Sequence, residues 1–308
     1  MTRHNRNFQL FANIILLLMV TGIVLPFLLL FMSSITEENT LIQNGYAFWP
    51  DKFSLAAYSY IWNQRGQIFR AYGITILVTV TGTFINILLS SLLAYGLSLK
   101  ELPGKTALTF YVFFTMLFNG GLVPTYLMYT GTFHIKNTLF ALIVPNFLMS
   151  AMNVLLIRTF YQTSIPDALY EAAKIDGAGH MKIYSAIVIP LGKPIMVTMG
   201  LFSALSYWND WTNGLYYLSG DKGYALYSIQ NLLNEMISKI EFLSSNSVAG
   251  SISSDLSQLP STSVRMAIAF VAMLPMLVIY PSCRSISRRG LRLGLLRLSD
   301  SKKKDKWI

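Results

Sequence analysis

The sequence predicts an all-α polytopic membrane protein with six transmembrane helices and both termini in the cytoplasm (N-in/C-in). Three observations predict it. Apolar residues make up 53% of the 308-residue chain and charged residues only 12%. Uncharged runs recur at lengths that suit a membrane span, for which about 20 consecutive apolar residues are needed. Lys and Arg are distributed unevenly among the connections, and cationic loops stay cytoplasmic.

The runs fall at 8–34, 71–99, 106–133, 137–157, 194–209 and 266–283. Arg3 and Arg6 precede the first run as they would in a secretory leader. That run is too long for a leader's apolar region, and no small-residue cleavage pattern follows it, so it is expected to be retained. The fifth run is the least regular, because Trp208, Asn209, Asp210 and Trp211 crowd its end. With the N-terminus inside, every cationic residue of the 24 lies on the cytoplasmic side except Lys52, Arg65, Arg70, Lys136, Lys222, Lys239 and Arg265. The net charge of +10 is therefore mostly topology. Nucleic-acid binding needs a basic soluble face, and the pattern offers none.

The same residues exclude most chemistry. Cys283 is the lone cysteine, which rules out an internal disulfide framework and cysteine-rich metal sites. His4, His134 and His180 lack ligand spacing, and no Ser, His and Asp combination suggests hydrolysis. Gly104-Lys105-Thr106 imitates the end of a phosphate-binding loop. The first glycine of that motif would have to stand where Leu99 stands, and a membrane run precedes the triplet instead of a strand. A Pro-Gly turn with cationic anchors is the reading that fits.

Between the fourth and fifth runs lies a polar stretch with helix signals of its own. Ser164-Ile165-Pro166-Asp167 reads as a helix start, with a Ser cap, Pro in the first turn and an acid three residues on. A helix is predicted through 168–174, and Gly177 breaks it where the backbone must turn. A second amphipathic helix follows, with Met181, Tyr184, Ile187 and Val188 toward the membrane domain and Pro190 ending it. A helix lying on lipid headgroups would carry a Lys-rich polar face. Asp167, Glu171 and Asp176 argue instead for a protein partner. Alanines at 172 and 173 allow close approach at little cost in propensity or side-chain entropy.

Glu171-Ala172-Ala173, three residues, Gly177, nine residues and Ile187-Val188-Ile189-Pro190 fit the signature Glu-Ala-Ala-x3-Gly-x9-Ile-x-Leu-Pro, with Ile189 in the Leu position. The chain thereby resembles the membrane subunits of bacterial ATP-binding-cassette (ABC) importers of type I fold. The resemblance implies that Asp167, Tyr170, Glu171, Ala172, Ala173, Asp176, Gly177 and Pro190 form a loop seated in a cleft of an ATPase subunit. It also implies that ATP and Mg are bound by that partner and that this chain holds no cofactor. The stretch from Phe118 to Tyr126, with Gly120-Gly121-Leu122-Val123-Pro124-Thr125, resembles the carbohydrate-uptake branch and its smaller, second permease. Ser263-Val264-Arg265-Met266-Ala267 fits the same pattern, and the subgroup it resembles imports polysaccharide fragments such as alginate. A homologous second permease, two copies of the ATPase and an extracytoplasmic sugar-binding protein are the implied partners. An amino-acid or peptide permease is the alternative, and the Gly120–Tyr126 stretch argues against it. A secondary transporter would be expected to show two related halves, and none is visible.

The expected organisation is an N-terminal stub with the first helix (1–33), an outer loop (34–70), a permease core (71–283) and a basic tail (284–308). The core carries a cytoplasmic coupling loop at 158–193 and an outer loop at 214–262. In the latter, Leu226, Ile229, Leu232, Leu233, Met236, Ile237 and Ile240 recur at helical spacing, and 244–263 is Ser-rich. A sugar path needs aromatic faces and amides. Asn119, Tyr126, Asn146, Tyr207, Trp208, Asn209 and Asp210 are the candidates, since polar groups at membrane depth are costly. After Pro281 the chain departs from the family's aromatic, Gly-containing ending. Synonymous codons for this run, read in a neighbouring frame, give Phe-Leu-Pro-Glu-Tyr-Phe-Ala-Lys-Gly-Leu-Thr-Ile-Gly-Ala-Val-Lys-Ala. The segment from about Ser282 onward is therefore expected to arise from a frameshift; a basic tail on anionic lipid is the alternative.

Overall fold

The structure is a computed structural model, and it describes residues 3–245 and 262–275. The Ser-rich stretch, the end of the sixth run and the basic tail lie outside the described residues. All regular structure among the described residues is helical apart from an isolated bridge between Thr36 and Phe53. The helices divide into two compact units.

The first unit covers Met1–Arg70 and Leu232–Leu277. Helix α1 (Arg3–Ser34) contains the first predicted span and leaves its apolar side chains from Phe8 to Leu28 largely exposed, as a lipid-facing helix does. Short helices α2 (Glu38–Asn44) and α3 (Ala56–Asn63) follow. The Ser34 and Tyr58 hydroxyls share a hydrogen bond of 2.7 Å. The last described helix, Thr262–Pro275, begins on the Glu38 carboxylate. That group accepts bonds from the Thr262 and Ser263 amides at 2.7 and 2.8 Å and from the Ser263 hydroxyl at 2.7 Å. A carboxylate placed there satisfies orphan N–H groups and complements the helix dipole. Phe31 and Phe270 pack with ring centroids 4.8 Å apart.

The second unit is built on Ala71–Asn231. Helix α4 (Arg65–Ser98) carries the second span. Helices α5 (Lys105–Leu117) and α6 (Leu122–Leu127) follow, then α7 (Phe140–Ile143), α8 (Ala151–Ser164), α9 (Asp167–Ile175), α10 (His180–Ile183) and α11 (Ile189–Trp208). The unit closes with α12 (Thr212–Tyr217), α13 (Gly220–Tyr224) and the start of α14 (Ile229–Ser245). One core cluster joins Tyr95 and Leu97 of α4 to Ile157 and Tyr161 of α8 and to Tyr184 and Val188. A second joins Val78, Ile143, Tyr207 and Leu218.

Among the described residues three helices are long and apolar enough to cross a membrane: Phe8–Ser34, Arg65–Ser98 and the continuous run His180–Trp208. Two predicted runs are not straight helices. In 106–133 the chain turns by 111° between α5 and α6, where Gly121 takes φ +88° and its amide donates to the Asn119 side chain at 2.9 Å. In 137–157 the helix stops after Ile143 and resumes at Ala151, because Pro145 lacks an amide to donate and Asn146 sits at φ +66°. The outer helix α14 starts at Ile229, so Leu226 precedes it, while Ile229, Leu232, Leu233 and Met236 form its buried stripe.

Candidate functional site: the coupling loop and the interrupted helix

The loop between α8 and α11 is positioned at both ends by local chemistry. Ser164 is the last residue of α8, not the cap of α9. Ile165 is extended, as a residue before proline must be, and Pro166 occupies the cap position with ψ 136°. Helix α9 ends in a Schellman turn. The Ala178 amide reaches the Ala173 carbonyl at 2.9 Å, the Gly177 amide reaches that of Lys174 at 3.0 Å, and Gly177 takes φ +73°. Pro190 does not end the second helix, because the turn Tyr184–Val188 is a π turn. There the Ile189 amide bonds the Tyr184 carbonyl, and Pro190 falls where α11 restarts and no amide is required. Ile183, Tyr184 and Val188 form the buried face of this helix, and Met181, in its first turn, is exposed instead.

Helix α9 is tied to the α4–α5 turn by two ion pairs. Lys100 meets Asp167 and Lys174 meets Glu101, each at 2.5 Å. The hydrogen bond to Asp167, then its charge, raises the Lys100 ammonium above its ordinary range. The Lys174 partner holds Glu101 below the usual carboxylate range. Behind the pairs lies a cavity of about 220 Å³ lined by Leu99, Tyr161, Ile165 and Tyr170 among others. Burial pushes the Tyr170 phenol up to about 12. The last carbonyls of α4 are covered by donors: Arg158 Nε bonds Leu97 at 3.1 Å, and Lys105 Nζ bonds Ser98 at 3.2 Å. Cations there also offset the negative end of the helix dipole.

The opposite face of α9 is bare. Ala168, Leu169, Glu171, Ala172, Ile175 and Asp176 are all exposed, Ile175 at 86%. Glu171 makes no hydrogen bond or ion pair among the described residues. The arrangement can transmit force: a small, rigid helix clamped to its own scaffold on one side presents an apolar and acidic surface on the other.

From the loop inward, the helices are joined by polar contacts that sequence reading missed. The Ser91 hydroxyl bonds those of Tyr161 and Tyr184 at 2.7 and 2.9 Å. Asn86 of α4, Asn153 of α8 and Ser203 of α11 form a buried triad with contacts of 2.9 to 3.0 Å. Asn86 also donates to the carbonyl of Phe147 at 2.6 Å. The Tyr207 hydroxyl covers the Ile143 carbonyl at 2.9 Å and the Asn213 amide that of Pro145 at 3.1 Å. Irregular backbone survives at membrane depth only when its polar groups are satisfied within the protein.

The sugar-path candidates scatter among these roles. Tyr207 is buried with its hydroxyl committed to the break. Asp210 is buried and accepts bonds from the Thr212 and Asn213 amides at 3.1 and 3.2 Å. Trp208 is buried with its indole N–H lacking a hydrogen-bond partner among the described residues. Asn146 donates to the Asn213 side chain at 3.2 Å. Asn209 is exposed and bonds the Leu205 carbonyl of its own helix at 2.9 Å. Asn119 is exposed at the α5–α6 bend. Tyr126 stacks on Tyr217 with centroids 5.8 Å apart. Asn146 and Asp210 thus meet at Asn213, and Tyr207 bonds the same break, while Asn119 stands at the α5–α6 bend and Tyr126 on Tyr217.

No family model matches the chain. Among curated proteins it is 33% identical to the polygalacturonan/rhamnogalacturonan transport system permease protein YtcP of Bacillus subtilis, over 95% of this chain and 99% of that protein. The chain belongs to the carbohydrate permease family of ABC transporters. It is also 29% identical to protein LplC of Bacillus subtilis, over 96% of this chain and 98% of that one. Its structure matches a chain from a crystal structure of a bacterial ABC transporter involved in the import of the acidic polysaccharide alginate. The TM-score is 0.74 at 26% identity, covering 92% of this chain and 98% of the other. As a permease of this family it is an integral protein of the bacterial cytoplasmic membrane, and its role is transport rather than catalysis.

Proposed function

We propose that this permease forms half of the translocation path of an ATP-driven importer of oligosaccharides or polysaccharide fragments, acidic ones such as alginate included. Its other half is a homologous permease, an extracytoplasmic sugar-binding protein delivers the cargo, and two ATPase copies that hold ATP and Mg drive the cycle. Both termini and the loop 158–193 lie inside, and 34–70 and 214–262 lie outside. The observation that carries the reading is the bare face of α9, apolar at Leu169 and Ile175 and acidic at Glu171, on a helix whose other side is clamped. Such a face suits an ATPase cleft better than anionic headgroups. Closure of the ATPases would carry α9 inward and, through the Lys100 and Lys174 pairs, move α4 with it. This is alternating access driven from one loop.

Purification from native membrane in mild detergent tests the assignment. An ATPase and a second permease should accompany the wild-type chain and be lost on Glu171→Lys. A chain that purifies alone and still transports without ATP would overturn it. Uptake of labelled uronate and neutral oligosaccharides into vesicles then decides the cargo.

A further inference from the structure

The ends of α5 and α8 that adjoin the coupling loop enclose a second groove, of about 380 Å³. It shares only Lys105 with the coupling cavity. Its rim is cationic. Lys105 and Arg158 line it beside Thr106 and Thr109, and no carboxylate among the described residues lines it. Arg158 commits Nε to the Leu97 carbonyl, and its two terminal nitrogens have no partner among the described residues. Lys105 gives one bond, to Ser98. Donors therefore remain on both cations. The wall below is apolar, made of Phe110, Phe113 and Leu155.

The depth of these groups is set by the chain. Lys105 stands just before the apolar run 106–133, and Arg158 just after the run 137–157. Both cations thus lie at one membrane boundary, and at about 1.5 Å of rise per helical residue Phe110 lies between one and two turns deeper and Leu155 just under one turn deeper. A small free anion would use only the rim, whereas a lipid uses rim and wall together. A zwitterionic lipid would bring an ammonium group for which the groove supplies no acid.

We propose that this groove holds one anionic phospholipid, its phosphate between Lys105 and Arg158 and an acyl chain along Phe110, Phe113 and Leu155. The site rests on the membrane-spanning reading and on neither the sugar nor the ATPase. It differs from a headgroup belt because it needs two cations over one apolar wall.

The test is native mass spectrometry of the purified importer released from vesicles of phosphatidylethanolamine with a minority of phosphatidylglycerol. One phosphatidylglycerol should remain per copy of this chain. Its retention should fall about five-fold for each cation removed, in Lys105→Gln and in Arg158→Gln. Lys105→Arg, which keeps the charge, and Lys193→Gln, which removes an exposed cation elsewhere, should leave it unchanged. If Arg158→Gln loses fold along with its bond to α4, Lys105→Gln alone decides. Equal retention by Lys105→Gln, equal retention of phosphatidylethanolamine, or a groove that keeps inorganic phosphate but no phospholipid would each overturn the assignment.

Discussion

Asn86 of α4 donates its side-chain amide to the carbonyl of Phe147, 2.6 Å away, inside the break between α7 and α8. The same amide also reaches the Leu148 carbonyl at 3.4 Å, so α4 is joined to the interrupted backbone of the second unit. Through Asn153 and Ser203 the same amide group reaches α8 and α11. The break is thus held as part of a network.

Replacing Asn86 by Leu should therefore cost about 1–2 kcal/mol. Interhelical bonds in membranes are modest individually, but a carbonyl left bare in an apolar interior is costly. Thermal unfolding in detergent measures it. The losses in Asn86→Leu and Asn153→Leu should not add, since each already dissolves the triad. Additive losses would mean that the three side chains act separately.

Gly82 faces the ring of Tyr207, and a Cβ at that position would stand 2.5 Å from the ring carbon. Gly82→Ala should destabilise the second unit by about 1–3 kcal/mol through overpacking. Tyr207→Phe in the same background should not restore it, because the ring, not the hydroxyl, is in the way. Comparison of melting temperatures for the single and double variants checks this.

The ion pairs that hold α9 are exposed, so each contributes little to global stability. Their effect should appear in local protection. Lys100→Asp should speed amide exchange in α9 several-fold while leaving the melting temperature nearly unchanged, and Lys100→Asp with Asp167→Lys should restore it. Raising the salt concentration should mimic the single variant. Exchange that is indifferent to both salt and charge reversal would show that packing alone holds the helix.

Gly177→Ala tests the turn that ends α9. A non-glycine residue at φ +73° costs about 1–2 kcal/mol. That cost should fall on the loop rather than the core, reducing co-purified ATPase before it reduces the yield of folded permease.

Glu38 gives the first unit an acid-sensitive contact. Burial pushes its carboxyl up, but the bonds from Ser263 and Thr262 outweigh that and hold it below its ordinary value of 4.5. A depressed folded value means that the stabilisation is present above pH 4.5 and is lost as pH falls through the folded value. Glu38→Gln should cost about 1 kcal/mol near neutrality, allowing for partial exposure, and should flatten the acid limb of the stability curve. A variant with an unchanged acid limb would assign that limb to other carboxylates.

Much of the architecture was legible because membranes demand long apolar runs, and those at 8–34 and 71–99 each returned as one helix. The turn at Gly177 was legible because only glycine tolerates that φ cheaply. The interruption after Ile143 was signalled by Pro145 and Asn146 but was outweighed by the apolarity around them. The Asn86, Asn153 and Ser203 triad was invisible for a plainer reason. Its members are 67 and 50 residues apart, and each is one polar residue within an apolar run. Tyr207 and Asp210 attracted notice as polar groups near membrane depth, and their buried bonds within the chain account for that polarity. The tail from about Ser282, for which a frameshift origin is expected, lies outside the described residues. Sequencing the encoding DNA settles that origin, since codons incompatible with the neighbouring frame exclude a frameshift.

The π turn at Tyr184–Val188 holds one residue more than an α-helical turn would. Deleting Ala186 would let the strand of hydrogen bonds close regularly, and everything ahead of it would rotate by about 100° relative to α11. The direction in which α9 points is thus metered by a single surplus residue. The loop behaves as a dial with discrete stops, and a change of one codon in length would re-aim it without altering a single side chain on its contact face.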